Sequence, residues 1–398
     1  MKRTTQLFWF PLLLAFYEMA GYLSSDAFLP AMPLISRDLV TSDSMVQLTL
    51  TAWFAGGMIF QFLLGPLADR YGRRPVMFVG ATFFFLSTFC CAIAPGIGTM
   101  IFFRFIQGAA VNSLIVAGYT TIHELYDQKR AARTLAYIAS ITVLSPALGP
   151  LAGSFIMHWL SWRWIFGVLF LWSCIAIPPL YWAMPETLMP EDKKPICWPD
   201  VCKSYFSVLR HKGFVLRLLT LNFIFATLIA WIAAGSFLSI DIFHYSTFEY
   251  SFMQVAIFGM FIVGNQLASL LLVRYSLQRI SDFGLYIVLA GGVLLLLGGI
   301  VLSHSLLWCV VVLSVTAFGS GLAWPVLSRL LVEEGDAPMS VKIVMQSVVL
   351  GGAGVLGSVM VSVLHGSAIT GFVIILFGFC VCAFISNVLV KKIDMVVD

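Results

Sequence analysis

The chain has 398 residues, of which 60% are hydrophobic and 11% are charged, and its net charge is +4. A soluble protein is about one quarter charged, so this composition excludes an ordinary water-soluble globule and indicates a protein whose solvent is lipid. The basic residues are scattered along the chain, which excludes the concentrated basic surface that nucleic-acid binding requires.

Apolar stretches long enough to span a bilayer recur along the whole chain. A transmembrane helix needs about 20 mainly apolar residues, and this criterion predicts an all-α membrane protein with twelve transmembrane helices. The predicted spans are 8–31, 45–67, 75–94, 98–124, 133–157, 162–184, 216–240, 249–273, 283–303, 305–331, 340–364 and 367–390.

One long polar connection divides the spans six and six. We therefore expect a six-helix bundle at 1–184, a linker at 185–215 and a second six-helix bundle at 216–398. The segment after span two, 65–80, has a degraded counterpart at 271–284 after span eight, which favours an internal repeat with pseudo-twofold symmetry. Such a repeat is typical of carriers whose substrate site lies between the two bundles. Within the linker, residues 201–214 predict either a helix at the membrane surface or a plain tether.

The basic residues indicate the orientation of the chain. If the N-terminus is cytoplasmic, only Arg37 and Arg163 fall on the opposite side, and Arg104 falls inside a span. All other lysines and arginines then lie on the cytoplasmic side, as the positive-inside rule requires. Both termini and the linker are therefore predicted to be cytoplasmic.

The first span contains two carboxylates, Glu18 and Asp26. Eight residues separate them, about 12 Å along a helix, and about 80° around it, so both can face one cavity. A carboxylate in a low-dielectric surrounding favours its neutral form, which brings protonation within reach of cellular pH. Exchange of a proton for a cationic substrate would then be possible. The alternative interpretation is that each side chain simply reaches the membrane interface.

Arg104 is the one strong cation deep in a predicted span, and a buried charge of this kind needs a partner or water. Asp26 should lie at a similar depth and is the natural partner, either directly or through Gln107. The pair would either couple proton binding to transport or be purely structural.

Two further segments combine glycine with charge or proline. In 65–75, "GPLADRYGRRP", glycines permit close approach and tight turning, and the arginines hold the loop in the cytoplasm. In 145–154, "SPALGPLAGS", Pro146 and Pro150 remove helix hydrogen bonds, and Gly149 and Gly153 let a neighbouring helix come close. The alternatives are that the loop charges only set topology and that the glycines only serve helix packing.

These segments resemble the signatures of the major facilitator superfamily. The 65–75 loop is similar to the family's loop motif, "RFIQG" at 104–108 to its fourth-span Arg motif, and 145–154 to the fifth-span motif of the drug/proton antiporter branch with twelve helices. The first span, "FYEMAGYLSSDAFLPAM", resembles that of the Bcr/CflA-like group of multidrug exporters. The resemblance covers all twelve spans, although 145–154 ends Gly-Ser where the family often has two glycines.

The resemblance implies roles for individual residues. Asp69 would pair with Arg73 and meet the N-terminus of span eleven, and an acid at the end of span four would join this gate. The gating residues implied are Gly65, Asp69, Gly72, Arg73, Glu124 and Asp127, and the antiporter motif comprises Pro146, Gly149, Pro150 and Gly153. That motif would pack against the second bundle and be linked with export.

Polar and aromatic residues at mid-span are the candidates for a substrate cavity, with helix packing as the alternative for each. They are Tyr17, Tyr22, Trp53, Gln61, Gln107, Asn112, Tyr119, Asn222, Trp231, Asn265, Gln266 and Gln346.

Together these features predict a proton-coupled exporter of lipophilic cationic and neutral compounds in a bacterial inner membrane. We expect a monomer with small lipophilic substrates, protons and the lipid bilayer as its partners, and no cofactor, metal site or nucleic acid. An exporter of one metabolite or siderophore, or a proton-coupled importer, would carry the same motifs. The sequence contains no Ser/His/Asp arrangement, metal-spaced histidine cluster or nucleotide loop to indicate an enzyme, and no obvious selectivity ring to indicate a channel.

Overall fold

The computed structural model of the protein describes residues 2–142, 144–193, 196–301, 305–335, 339–363 and 368–397. These residues form fifteen α-helices and no β-strand. The helices are α1 (Lys2–Asp26), α2 (Met32–Asp38), α3 (Asp43–Tyr71), α4 (Arg73–Ala92), α5 (Ile97–Leu125), α6 (Gln128–Thr142), α7 (Ser145–Trp159), α8 (Arg163–Ala183), α9 (Trp198–Leu209), α10 (Lys212–Ser236), α11 (Thr247–Leu271), α12 (Leu277–Val301), α13 (Leu306–Glu333), α14 (Met339–Val363) and α15 (Ala368–Val397).

Ten helices in the described part of the chain are long and apolar enough to cross a membrane. They correspond to predicted spans two to four, six and seven to twelve. The seventh continues past α10 through a π-helical turn, Phe237–Ile242. The predicted ends at residues 303, 364 and 367 lie outside the described residues.

The first predicted span ends earlier than expected. The sequence predicts a span to residue 31, but α1 ends at Asp26 and is followed by a short 3₁₀ turn, Leu29–Ala31, and by α2. Pro30 and Pro33 occupy the first turns of these two short elements. Because proline lacks an amide hydrogen and disfavours helix in the residue before it, the chain breaks here rather than continuing α1.

The fifth predicted span is two helices rather than one. The prediction gave one span at 133–157, kinked at its prolines, whereas α6 ends at Thr142 and α7 begins at Ser145. Pro146 lies in the first turn of α7, where its missing amide hydrogen costs nothing, and Pro150 lies inside that helix. The start of α7 is therefore a helix terminus in the middle of the predicted span.

The chain divides into two compact units, Met1–Trp198 and Pro199–Asp398. The division falls inside the segment 185–215 that the sequence marks as a linker. In the first unit α3 and α4 pack on α5, and α1 packs on α8. In the second unit α11 and α12 pack on α13, and α10 packs on α14 and α15. The linker contains α9, which confirms the predicted helix in this segment.

The same glycine-mediated crossing occurs in both units. At each crossing, a glycine of either helix lies against the backbone carbonyl of an aromatic residue in the other helix. The pairs are Gly56 with Phe105 and Gly108 with Trp53 in the first unit, and Gly264 with Phe318 and Gly321 with Phe261 in the second. In every helix the glycine follows its aromatic residue by three positions. Helices in lipid approach closely through such small residues, and the repeated pattern agrees with the internal repeat in the sequence.

Candidate functional site

Glu18 lies in the middle of α1 with 1% of its surface exposed. Tyr119 of α5 donates a hydrogen bond from Oη to Glu18 Oε1 at 2.8 Å. Among the described residues, Glu18 Oε2 has no hydrogen-bond partner, and no basic nitrogen lies within ion-pair distance of this carboxyl group. A buried carboxyl group without a cation is costly when charged, so this position suits a group that binds a proton.

Asp26 is the last residue of α1 and is also buried, with 5% exposure. Ser145, the first residue of α7, donates a hydrogen bond from Oγ to Asp26 Oδ2 at 2.8 Å. The break between α6 and α7 therefore places a hydroxyl donor next to the acid. Ser145 begins the 145–154 segment in the sequence but was not predicted to have a role, although its position directly before Pro146 is typical of the start of a helix.

The glycines of the antiporter motif lie against the end of α1. A Cβ atom on Gly149 would be 2.6 Å from the Cβ of Asp26, and one on Gly153 would be 2.8 Å from the carbonyl carbon of Ala27. Real Cβ atoms do not approach other atoms this closely, so both positions require glycine for α7 to reach the backbone beside Asp26. The predicted close approach of a neighbouring helix is therefore present, and that neighbour is the segment that carries Asp26. The expected contact with the second bundle stays a prediction.

Arg104 is fully buried in α5, but its hydrogen bonds differ from those expected. Its Nη1 donates to the backbone oxygen of Ser24 at 2.7 Å and to Gln107 Oε1 at 2.6 Å. Gln107 in turn donates to Thr88 Oγ1 at 2.8 Å. In the described part of the chain, Arg104 and Asp26 form no ion pair, and Gln107 leads to α4 rather than to Asp26. Arg104 and Asp26 therefore form no direct ion pair in this structure, although they are close enough for their charges to interact.

The negative end of α1 takes the place of an acidic partner for Arg104. The last carbonyl groups of a helix lack intrahelical donors and carry partial negative charge, and the Ser24 oxygen is one of them. The guanidinium also lies 4.2 Å from the ring centroid of Phe28 and 5.9 Å from that of Phe166. Its Nε and Nη2 atoms have no hydrogen-bond partner among the described residues. Arg104 thus caps the helix end that bears Asp26.

The predicted gating residues form an ionic network at one end of the first unit. Arg73 Nη1 lies 2.6 Å from Asp69 Oδ1, and Arg73 Nη2 lies 3.1 Å from Glu124 Oε1 at the end of α5. Of the two acids proposed at the end of span four, Glu124 joins the network. Asp127 does not, because its Oδ1 accepts the backbone amide of Arg130 at 2.8 Å in the first turn of α6. Its short side chain serves the start of the next helix instead.

Gly72 and Gly65 of this loop differ in backbone conformation and in the space around them. Gly72 has φ of +110°, a conformation that side-chain-bearing residues avoid, so the predicted tight turn is present there. A Cβ on Gly65 would meet no described atom within 4 Å. The expected close approach at Gly65 is therefore wrong for this structure, because α3 continues there as an open helix surface.

The candidate cavity residues differ in how deeply they are buried. Gln107, Trp231 and Tyr17 are buried, and Trp231 Nε1 donates to Gln254 Oε1 at 2.9 Å while the Tyr17 ring packs on Phe84. In this structure these three are packing residues, as the alternative interpretation expects, and their place in a substrate cavity stays a prediction. Gln61 is also buried and Gln266 is exposed. The half-buried members are Tyr22, Trp53, Asn112, Tyr119, Asn222, Asn265 and Gln346.

Some half-buried candidates have polar atoms without hydrogen-bond partners among the described residues, and others bond to a neighbouring helix. Trp53 Nε1 and Asn222 Oδ1 have no hydrogen-bond partner among the described residues, so both remain candidates for binding a ligand. Asn112 Nδ2 donates to the Gly57 oxygen at 2.7 Å, and Gln346 Nε2 donates to Ser328 Oγ at 2.8 Å. These two bonds favour helix packing.

The second unit contains a buried ion pair that the sequence did not predict. Arg217 Nε, near the start of α10, lies 2.7 Å from Glu334 Oε2 at the end of α13. Their side chains are only 8% and 15% exposed. The sequence places both residues near predicted span ends, where charges are common, so nothing in the pattern distinguishes this pair from solvated ends.

Comparison with known proteins identifies the family of the chain. The sequence profile described as the Major Facilitator Superfamily matches residues 14–340. The protein belongs to the Major Facilitator Superfamily. This membership and the ten apolar helices in the described residues make the chain a multi-pass membrane protein of the superfamily's twelve-helix fold.

Curated relatives within the superfamily cover most of the chain. Multidrug resistance protein MdtM of Salmonella typhimurium is 33% identical over 337 residues, which cover 85% of this chain and 81% of the relative. Multidrug transporter MdfA of Yersinia pestis strain Angola is 35% identical over 329 residues, covering 82% and 80%. MdfA of Escherichia coli O6:H1 is 33% identical over 327 residues, also covering 82% and 80%.

A solved structure supports the fold of this superfamily member. The crystal structure of D-xylose-proton symporter matches with a TM-score of 0.74 over 96% of this chain and 97% of the other. The two sequences are 13% identical, so this likeness concerns the fold alone.

Proposed function

We propose that this member of the superfamily exports lipophilic cationic and neutral compounds in exchange for protons. The observation that carries the proposal is the pair of buried acids in α1, Glu18 and Asp26, neither in an ion pair within 4.0 Å among the described residues. Relatives named multidrug transporters that are 33–35% identical over most of the chain support the choice of drugs as substrates.

The two acids have different surroundings and therefore different proposed roles. Glu18 has one partnered and one unpartnered oxygen, so it can lose its proton when a cationic substrate supplies the missing positive charge. Asp26 lies at a helix end beside Ser145 and close to the Arg104 cap on Ser24. Movement at this helix end would change the access of water to Asp26, and its proton would then exchange with the outside.

The network of Asp69, Arg73 and Glu124 is the proposed cytoplasmic gate. An ionic network with a buried arginine has a few discrete arrangements, so it is suited to hold one state until the bundles rearrange. Two compact units joined by a linker are what alternating access requires. The membrane potential contributes about 2.3 kcal/mol per charge per 100 mV, and each pH unit contributes about 1.4 kcal/mol. Export against a gradient is therefore energetically possible.

The location, orientation and partners of the protein are also part of what we propose. We place the protein in a bacterial inner membrane with both termini cytoplasmic, on the strength of the distribution of basic residues. We further propose that it works as a monomer, with protons and lipophilic small molecules as its partners and without a cofactor.

The test measures drug resistance in bacterial cells that lack their own exporters. We expect the wild-type protein to raise resistance to several unrelated lipophilic compounds, and Asp26→Asn and Glu18→Gln to remove most of this gain. Asp43→Asn is the control, because Asp43 lies in the first turn of α3 at the opposite end of that helix from the gating loop. Resistance that survives in both variants would refute the assigned roles of the acids.

Transport direction and breadth are tested in inside-out vesicles with an imposed pH gradient. We expect uptake of cationic dyes into the acidified lumen, which corresponds to export from the cell. Accumulation in the opposite direction would indicate an importer. Transport confined to one compound of a broad panel would indicate a dedicated exporter.

A further inference from the structure

The first turn of α4 depends on a carboxylate from the linker. A helix begins with amide groups that have no intrahelical acceptor. Here Glu186 Oε1 accepts the backbone amide of Arg73 at 3.0 Å, and Glu186 Oε2 accepts that of Arg74 at 3.1 Å. Residue 75 is proline and has no amide hydrogen, and the Gly72 amide bonds to Ala68 at the end of α3. One side chain therefore accepts both free amides at positions 73 and 74.

The positive charges at the start of α4 favour a carboxylate beside its first turn. The N-terminus of a helix carries partial positive charge and disfavours nearby cations, yet α4 begins with two arginines. The N-cap residue, Gly72, has no side chain to accept a hydrogen bond. An anion beside the first turn offsets both the dipole and the arginines, and Glu186 is placed there by the end of α8.

Gly72 leaves the space that Glu186 occupies. A Cβ on Gly72 would be 2.9 Å from Glu186 Cδ and closer still to Oε2. The glycine in the loop motif therefore has a second function beyond its positive φ, which is to admit the carboxylate to the helix end.

The first linker residues are bound to the same network. Glu186 Oε1 also accepts the amides of Thr187 and Leu188 at 3.0 Å, and Thr187 Oγ1 donates to Glu124 Oε2. Glu124 is the acid that pairs with Arg73. The linker thus contacts both the backbone of Arg73 and the ionic partner of its side chain.

We propose that Glu186 is a positioning residue of the gating loop. It holds the first turn of α4 in the conformation from which the Arg73 side chain reaches Asp69 and Glu124. The start of the linker is then a component of the gate and not only a tether between the bundles. The geometric part of this inference is independent of transport, and its effect on transport rests on the function proposed above.

The decisive experiment is hydrogen exchange of the purified protein in detergent, resolved to single amides. Because Glu186 is the acceptor for the Arg73 and Arg74 amides, Glu186→Ala should accelerate their exchange on the order of tenfold or more. The Glu186→Gln side chain has one acceptor oxygen for the backbone amides of Arg73 and Arg74. One of the two amides should therefore lose its hydrogen bond and exchange faster. Glu191→Ala, an exposed acid later in the linker, should leave both rates unchanged. Unchanged rates in both Glu186 variants would overturn the proposal, and Glu186→Gln keeps the test valid if Glu186→Ala does not fold.

A second measurement separates positioning from a general structural role. Glu186→Ala should lower drug export in the wild-type background but have little further effect in an Arg73→Ala background. An equal fractional loss in both backgrounds would show that Glu186 does not act through Arg73, and would overturn the positioning role. If the wild-type protein exports no drug, the exchange measurement still decides the geometric claim.

Discussion

Ser145 donates a hydrogen bond to Asp26 at 2.8 Å and thereby joins the first residue of α7 to the last residue of α1. The two residues are 119 positions apart in the chain, and the glycines that follow Ser145 pack on the same helix end. The fifth-span motif and the first-span acid are therefore parts of one structure. A movement of α7 would change the surroundings of Asp26 directly.

Loss of this hydrogen bond should impair proton-coupled export. A hydrogen bond to a charged group contributes about 1.5–3 kcal/mol, so we expect Ser145→Ala to lower proton-driven dye transport on the order of tenfold. Ser145→Thr retains the hydroxyl and should keep most of the activity. Ser173→Ala is the control, since the bond of Ser173 among the described residues goes to a carbonyl within its own helix, Leu169. Equal transport by Ser145→Ala and wild type would show that the bond has no role in coupling.

Removal of the Tyr119 hydroxyl should affect Glu18 selectively. Tyr119→Phe leaves both Glu18 oxygens without a donor among the described residues, which further disfavours the charged form that binds cations. We expect export of cationic compounds to fall several-fold and export of neutral compounds to change little, as measured by resistance to matched pairs of compounds. Tyr17→Phe, whose ring packs on Phe84, should change neither. An equal loss for both classes of compound would contradict a specific action on Glu18.

A methyl group at Gly149 should separate α7 from α1. Its position, 2.6 Å from Asp26 Cβ, forces a backbone shift, and overpacking of this kind costs about 1–3 kcal/mol. We expect Gly149→Ala to lower the thermal unfolding temperature and to abolish most export. Gly259→Ala in α11 is the matched control, because no described atom lies within 4 Å of the added methyl. That variant should be as stable as wild type or slightly more stable.

The ion pair between Asp38 of α2 and Arg163 of α8 should stabilise the protein in a pH-dependent way. Asp38 accepts hydrogen bonds from Arg163 and from Trp162, and these bonds hold the pKa of Asp38 below its ordinary value of 3.8. A lowered pKa in the folded state stabilises the protein above pH 3.8, and this contribution is lost as pH falls through the folded-state value. The pair is half-exposed, so we expect its contribution to be about 1 kcal/mol or less.

The measurement compares thermal unfolding of wild type and Asp38→Asn from neutral pH downward. The wild type should be more stable at neutral pH, and the difference should vanish in strong acid. Arg163→Gln should show the same reduced dependence on pH. A stability difference that stays constant across the series would contradict the pair as its source.

Loss of the buried Arg217–Glu334 pair should destabilise the protein more than loss of the exposed Arg329–Glu333 pair. Glu334→Ala removes a carboxylate that Arg217 contacts at 2.7 Å, and breaking a buried pair in this way costs about 3–5 kcal/mol. Glu333 is the adjacent residue and pairs with Arg329 on the surface, where the side chains are 48% and 69% exposed. Glu333→Ala should cost about 1 kcal/mol or less. Thermal unfolding of the two variants checks the contrast, and similar losses would show that burial of the pair is unimportant.

The sequence by itself determined which segments enter the membrane and which residues are chemically unusual there. Insertion depends on the summed transfer free energy of one continuous segment, so ten of the predicted spans appear among the described helices. Glu18, Asp26 and Arg104 stood out for the same reason, because each charge is costly in its own segment. The proline at 146 indicated a disturbed helix in span five, although the exact ends of spans one and five did not follow from hydropathy.

Only the tertiary structure decided the partners of these residues. Asp26 bonds to Ser145 and not to Arg104, Arg104 caps α1 through Ser24, and Glu186 holds the start of α4. Each of these contacts joins residues at least 80 positions apart. Hydropathy and motif spacing describe the chain segment by segment, whereas a hydrogen-bond partner is fixed by how two distant helices cross and by the direction in which each side chain points.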